Sequence, residues 1–430
     1  MNVLWYYAIG FVVVWILAYL LRDRFNISIE GIVLMLKTER LEKVIDRIAM
    51  ACPRLWKWYI NIGIPFAVVF MAVMLVSLIV SLQLMFETPT VSLILPGVDV
   101  PGSPIYIPFA TGLIALATVL VVHEGGHGVL ARVEGISIDS VGLLLLAIIP
   151  GAFVEPNEEE LSRANGISKL RVYSAGPMFN IALCIIALLL AGLISGFMVS
   201  ENIYTSDGVE ISSVVPSSPA EGVLSEGMVI HEINSKAVNG TFSYLEALNG
   251  THIGDNLTFV TDRGKYSLIT SSSPTNASRS YMGIRTKSHT VVSSEAESRY
   301  GTFIPWLLTQ LEEIFRLMFF LNFAVGTFNL LPMKPLDGGL IFEELLGVRI
   351  RPDRRVEFND TLNRYTRFMP AGIRSWISGG FNSLLDFISR HELSDESVER
   401  IVSWTSRILL AILLLLILYG LLPAFKGFLG

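Results

Sequence analysis

The segment ALATVLVVHEGGH, residues Ala115–His127, decides how this sequence is read. It begins as an apolar helix and ends on two imidazoles and a carboxylate. On a helix, positions four apart share a face, so His123 and His127 can point at a single ion. Glu124 lies one residue further round, within reach of a water bound there, which is the mechanical content of a His-Glu-x-x-His motif in zinc hydrolases. An acidic residue at the centre of a membrane helix costs about 2.5–3.5 kcal/mol on insertion scales, so one retained there should have a use. The plainer account is a helix end in the interface, with its histidines hydrogen-bonded to carbonyls. Gly125 and Gly126 are poor helix formers that would admit a close backbone or a substrate, or simply a packed helix.

The rest of the chain supplies the membrane. Of 430 residues, 52% are hydrophobic and 16% charged. Soluble domains carry about a quarter charged residues, so the balance is that of a polytopic membrane protein. A net charge of −6 argues against a nucleic-acid binder. The two cysteines are Cys52 and Cys184, the latter inside an apolar run. Neither a disulfide framework nor a cysteine-based zinc site is expected, so a metal would be held by His and carboxylate.

Six runs reach the length of about 20 residues that a crossing needs, at roughly 3–21, 60–84, 105–131, 172–199, 303–333 and 406–424. The first lacks a basic n-region and a cleavage signal and reads as a retained helix. Basic residues from Arg22 to Lys57, from Arg132 to Arg171 and from Arg349 to Arg390 put those connections in the cytoplasm. Both termini and residues 201–300 then fall outside. Sequons at Asn239, Asn249, Asn256 and Asn276 agree with that side, although a Ser/Thr/Asn-rich domain forms such triplets by chance.

A catalytic zinc takes three protein ligands and leaves a fourth position open. His231, His252, His289 and His391 lie in expected extramembrane parts, so the third ligand is sought among carboxylates at membrane depth. Asp337 fits. It follows Pro332 and Pro335, which interrupt the helix, and it falls at the same cytoplasmic level as His127. Asp337 would also serve as the cap of a helix starting at Gly338, and the two roles are compatible.

Taken together, His123–His127, the segment AGPMFN at Ala175–Asn180, and the Asn329-x-x-Pro332-x-x-Pro335-Leu336-Asp337-Gly338 pattern resemble the site-2 protease family of intramembrane zinc metalloproteases. The resemblance covers about 105–200 and 303–346. It implies one zinc ion per chain held by His123, His127 and Asp337, with Glu124 as general base and Asn329 beside the metal. Asn180 would arrange the core helices or contact substrate. The stretch 139–154, with Gly151 and Phe153, resembles a re-entrant β segment that receives unwound substrate by strand addition, where a short core strand under the helices is the alternative. Segments within 205–288 resemble a PDZ domain, with Met228 and Ser235 departing from its pattern.

The expected architecture is a polytopic α-helical membrane protein of about six transmembrane helices with a re-entrant β segment and an inserted small β-rich PDZ-like domain. Its parts are 1–104, N-terminal helices and their cytoplasmic connection; 105–200 and 301–350, the catalytic core; 201–300, the PDZ-like domain; 351–404, a cytoplasmic amphipathic insert; and 405–430, a last helix. The resemblance implies single-span membrane substrates, trimmed first on the outside by a site-1-type protease. The lipid bilayer is a partner and nucleic acid is not. Few cysteines and external sequons point to an archaeal plasma membrane. The rival readings are a catalytically silent scaffold or chaperone that binds partners through its PDZ-like domain, and a zinc transporter. The second would need polar residues along a continuous path that 60–84 and 406–424 do not offer.

Overall fold

The computed structural model describes residues 3–25, 27–85, 96–98, 106–146, 149–274, 276, 278–347 and 393–429, with scattered positions between 370 and 383. Most of residues 86–104 and of the amphipathic insert expected at 351–404 lies outside the described residues. The chain runs α1 (Val3–Phe25), β1 (Ile27–Glu30), β2 (Val33–Lys37), α2 (Glu39–Ala51), α3 (Pro53–Leu84), α4 (Phe109–Val133), β3 (Ile138–Leu146), β4 (Ile149–Pro156), α5 (Glu158–Arg163) and α6 (Gly166–Ser200). Next come β5 (Tyr204–Val214), β6 (Val229–Ile233), β7 (Lys236–Ala237), α7 (Thr241–Leu248), β8 (Asn256–Thr261), β9 (Gly264–Ile269), β10 (Ser271–Ser272), β11 (Ser280–Tyr281), β12 (Ile284–Val292) and α8 (Ser294–Tyr300). It closes with α9 (Phe303–Phe328), α10 (Asp337–Leu346) and α11 (Asp395–Leu429). Two compact units result, one from Met1–Leu190 with Glu313–Gly430, the other from Ala191–Glu312.

Among the described residues, four helices, α3, α4, α6 and α11, are long and apolar enough to cross a membrane. Composition is the reason: α3 has no charged residue from Trp58 to Leu84, and α6 none from Val172 to Ser200. The expected run 303–333 is not among them. Its helix α9 stops at Phe328 and carries Glu312, Glu313 and Arg316 in its middle. Residues 329–336 turn instead of continuing, because Pro332 and Pro335 cannot supply helical N–H groups.

Helix α4 ends in a Schellman motif, with Gly135 at φ +82° donating to the Arg132 carbonyl and Ile136 donating to that of Ala131. The turn sends the chain into β3. Strands β1 to β4 form one antiparallel sheet in that order, with β4 at its end. Helix α2 is amphipathic, with Ile45 and Ala49 buried. Ile45 packs where Gly128 of α4 leaves room. Residues 139–146 and 149–154 thus pair as antiparallel strands on a sheet completed by β1 and β2.

Charged residues of α2 and of the joined ends of α3, α4 and α6 pair with one another. Arg132 reaches Glu42 at 2.7 Å and Asp46 at 2.6 Å. Glu134, nearly enclosed, meets Lys57 at 3.1 Å, Arg171 at 3.0 Å and the Ser168 hydroxyl. Burial alone would raise the Glu134 pKa, but Ser168, Lys57 and Arg171 outweigh it and hold the carboxyl below its usual range. A carboxylate with a depressed folded-state pKa contributes stability above its unfolded value, near 4.3, and loses it as pH falls through the folded value. Glu134→Gln should therefore cost about 1–3 kcal/mol at neutral pH, with the gap from wild type closing under acid. Thermal melts of both proteins across pH, in detergent, check this. A gap independent of pH would contradict it.

In the second unit, strands follow the order β12-β5-β6-β8-β9, with β7 beside β6. In β8, Leu257, Phe259 and Thr261 are buried while Asn256 is exposed. Ile211, Ile230, Ile233 and Phe259 form the centre of its core.

Candidate metal centre

His123 and His127 are one turn apart on the inner face of α4, their rings nearly perpendicular with centroids 5.0 Å apart. Their Nε2 atoms are separated by 3.4 Å. Asp337 closes a triangle, Oδ2 lying 3.1 Å from His123 Nε2 and Oδ1 3.3 Å from His127 Nε2. The cap position of α10 is Leu336, so Asp337 is the first helical residue and its carboxylate turns to the imidazoles. The positive end of the helix favours that charge. The 329–336 turn closes with the Gly338 N–H donating to the Asn329 carbonyl at 2.7 Å. A Cβ on Gly338 would strike the Leu330 and Leu331 carbonyl oxygens, so the close return needs glycine there.

The triangle suits a metal by two independent observations. Donors about 2.0–2.1 Å from a tetrahedral zinc stand roughly 3.3–3.4 Å apart, which is the spacing of the two imidazole nitrogens, 3.4 Å, with one Asp337 oxygen 3.1 Å from the first and the other 3.3 Å from the second. Asp337 Oδ2 is buried without a well-aligned donor, a position that a cation would satisfy. Among the described residues this is the one His/Cys/Asp/Glu cluster whose geometry could hold an ion. His231, His252 and His289 lie in the second unit, and His391 lies outside the described residues.

Glu124 stands beside the triangle without belonging to it, and its Oε2 accepts the Val154 N–H of β4 at 3.3 Å. A cavity of about 420 Å³ opens there, lined by His123, Glu124, His127, Tyr173, Asn329 and Asp337. A second, apolar cavity of about 450 Å³ lies between α2, α4 and β4, with Val44, Ile48, Gly125 and Phe153 in its wall; Glu124 and Val154 border both. Gly125 faces open space and Gly126 packs on the Ala175 carbonyl, so the two glycines serve different ends. Gly151, in β4, packs on Leu144 of β3.

Asn180 is fully buried and abuts His123 Nδ1 at 3.2 Å, on the far side of the ring from Asp337. Two α6 backbone positions also shape the site, and only the second lies in a segment the sequence singled out. The Val172 carbonyl lies 2.8 Å from His127 Nδ1, and Gly176 presses against both imidazoles. The signal for the second was its place in the AGPMFN segment; the first, a backbone carbonyl, left none.

The profile of Peptidase family M50 matches residues 111–370, more than half of the chain. An uncharacterized protein of Methanocaldococcus jannaschii is 29% identical over 347 residues, covering 79% of this chain and 85% of its own. A Clostridium perfringens protein named "Putative zinc metalloprotease" is 26% identical, covering 60% of this chain and 92% of its own. A "Membrane-bound transcription factor site-2 protease homolog" of Arabidopsis thaliana is 31% identical over 137 residues, 31% of this chain and 26% of its own. Among solved structures, the PDZ domain of an SdrC-like protein from Listeria innocua is similar over 19% of this chain and 97% of its own, at 22% identity and a TM-score of 0.18.

Proposed function

Because the chain belongs to Peptidase family M50 and is a metallopeptidase of the site-2 protease type, we propose that it hydrolyses peptide bonds inside the membrane-spanning segments of single-span proteins. The observation that carries this is the meeting of His123, His127 and Asp337 with Glu124 and Asn329 on one cavity. His123, His127 and Asp337 would hold one zinc ion, which when bound supplies Lewis acidity and brings the pKa of water to about 7. Glu124 takes the proton of the attacking water and passes it to the leaving amine. Asn329, on the same cavity wall, offers its amide to the oxygen that gains charge in the transition state.

The edge position of β4 suits addition of an unwound substrate strand along Gly151–Val154, which brings it past Glu124. The apolar cavity behind Gly125 would then take an apolar side chain of that strand. With α1 and α9 added to the four apolar helices, the chain crosses six times. The paired charged ends of α3, α4 and α6 face the cytoplasm, and residues 201–300 form a PDZ-like domain outside.

A substrate helix must open several hydrogen bonds before attack, each worth about 0.5–1.5 kcal/mol net. Two glycines in place of leucines weaken such a helix by about 2 kcal/mol, roughly thirty-fold in rate if opening precedes cleavage. The test is purified chain in liposomes with a single-span substrate, comparing a Leu-rich span with its two-glycine variant and reading the cut site by mass spectrometry. Cuts within the span, faster for the glycine variant and abolished by a zinc chelator, are expected. Cuts confined to the flanks, or chelator-resistant cutting, would refute the proposal.

A further inference from the structure

Each imidazole of the triangle has a second ring nitrogen, and the two are held differently. A neutral imidazole that offers Nε2 to a metal carries its proton on Nδ1 and needs an acceptor there. His127 has one that can only accept, the Val172 carbonyl at 2.8 Å. His123 has the Asn180 side chain, whose Nδ2 is placed 3.2 Å from Nδ1 while Oδ1 lies buried with no partner. The two ends of an amide are told apart only by their hydrogen bonds. A half-turn of the amide brings Oδ1 to the ring and gives Nδ1–H its acceptor.

We infer that Asn180 is a positioning residue for the metal centre, accepting the His123 Nδ1 proton through Oδ1 and so fixing the tautomer that presents Nε2 to the ion. This rests on the metal reading above and goes beyond it, since the residue touches neither the ion nor the substrate cavity. Charge explains why an amide stands here rather than the carboxylate common behind metal-bound histidines. A divalent ion with Asp337 and Glu124 ionised sums to zero, and a third carboxylate would leave a net charge in a buried place. Asn180 is reached from α6 because Gly326 of α9 leaves its Cβ room, at 3.1 Å from where a side chain would begin.

The test is zinc affinity of the full-length chain in detergent, by chelator competition, for wild type, Asn180→Leu, Asn180→Asp and Asn322→Leu. Asn322 is an equally buried asparagine that donates to the Met318 carbonyl, away from the triangle, and serves as the packing control. Asn180→Leu keeps the volume and removes the acceptor, and should weaken zinc about 10–100-fold. Asn180→Asp keeps an acceptor and should bind at least as tightly as wild type, while Asn322→Leu should match wild type. Wild-type affinity in Asn180→Leu would overturn the inference. So would a tenfold or greater loss in Asn180→Asp, which decides the matter even where the leucine variant does not fold. A wild-type chain that binds no zinc overturns the metal reading itself.

Discussion

Glu124→Gln should keep its zinc and lose cleavage by about 10²–10⁴-fold, the usual worth of a positioned general base. Glutamine has the size of glutamate and can still accept the Val154 N–H that holds Oε2 at 3.3 Å, so the side chain stays where it is. What it lacks is the ability to take a proton. The three donors of the triangle are separate residues, so nothing in the substitution reaches them. Metal content and single-turnover cleavage of the same preparation check both halves of the expectation. Full zinc with cleavage within threefold of wild type would remove Glu124 from the mechanism. Full zinc with little cleavage would also dispose of the silent-scaffold reading, because a scaffold has no activity for this change to lower.

The parts of the site that were legible in sequence are those fixed by local periodicity or by chemistry too costly to keep without use. His123, Glu124 and His127 follow from the helical repeat alone. Asp337 follows from the need for a third ligand and from two prolines that break a helix near the right depth. The membrane helices α3, α4, α6 and α11 were legible because an unbroken apolar run has few other homes. What could not be read depends on tertiary approach. Whether Asn180 faces a cavity or the back of a ring is set by the rotation of α6 against α4, and an asparagine in an apolar run looks the same in both cases. The pairing of β2 with β3 was hidden for a similar reason. Val33–Lys37 is a short apolar run in a basic segment, and its partner strand begins a hundred residues later. The length of α9 was misjudged because Pro332 and Pro335 were credited with a local break, whereas the whole segment from Asn329 to Leu336 leaves the helix.

Gly176→Ala should weaken zinc binding and lower cleavage roughly 10²-fold without unfolding the chain. A Cβ at this position would lie 2.8 Å from both Cε1 and Nε2 of His123 and closer still to His127 Nε2, inside the contact distance of any carbon. The imidazoles can yield only by straining the contacts that Val172 and Asn180 make at their Nδ1 sides. Nor can α6 retreat cheaply: Gly126 is already packed on the Ala175 carbonyl, Met178 fills the space at Gly63, and Arg171 is tied to Glu134. The methyl group therefore displaces the Nε2 atoms, and a misplacement on the order of 1 Å costs roughly 10²-fold in a reaction that needs aligned groups. Alanine is meanwhile the better helix former by about 1 kcal/mol, so stability should not follow activity downward. Gly192→Ala in the same helix, where a Cβ meets open space, provides the comparison and should retain zinc and activity. Zinc affinity, cleavage and melting temperature measured on both variants separate the outcomes. A Gly176→Ala protein with wild-type zinc binding would mean that the imidazoles and α6 are not in the contact described, and the triangle would have to be redrawn.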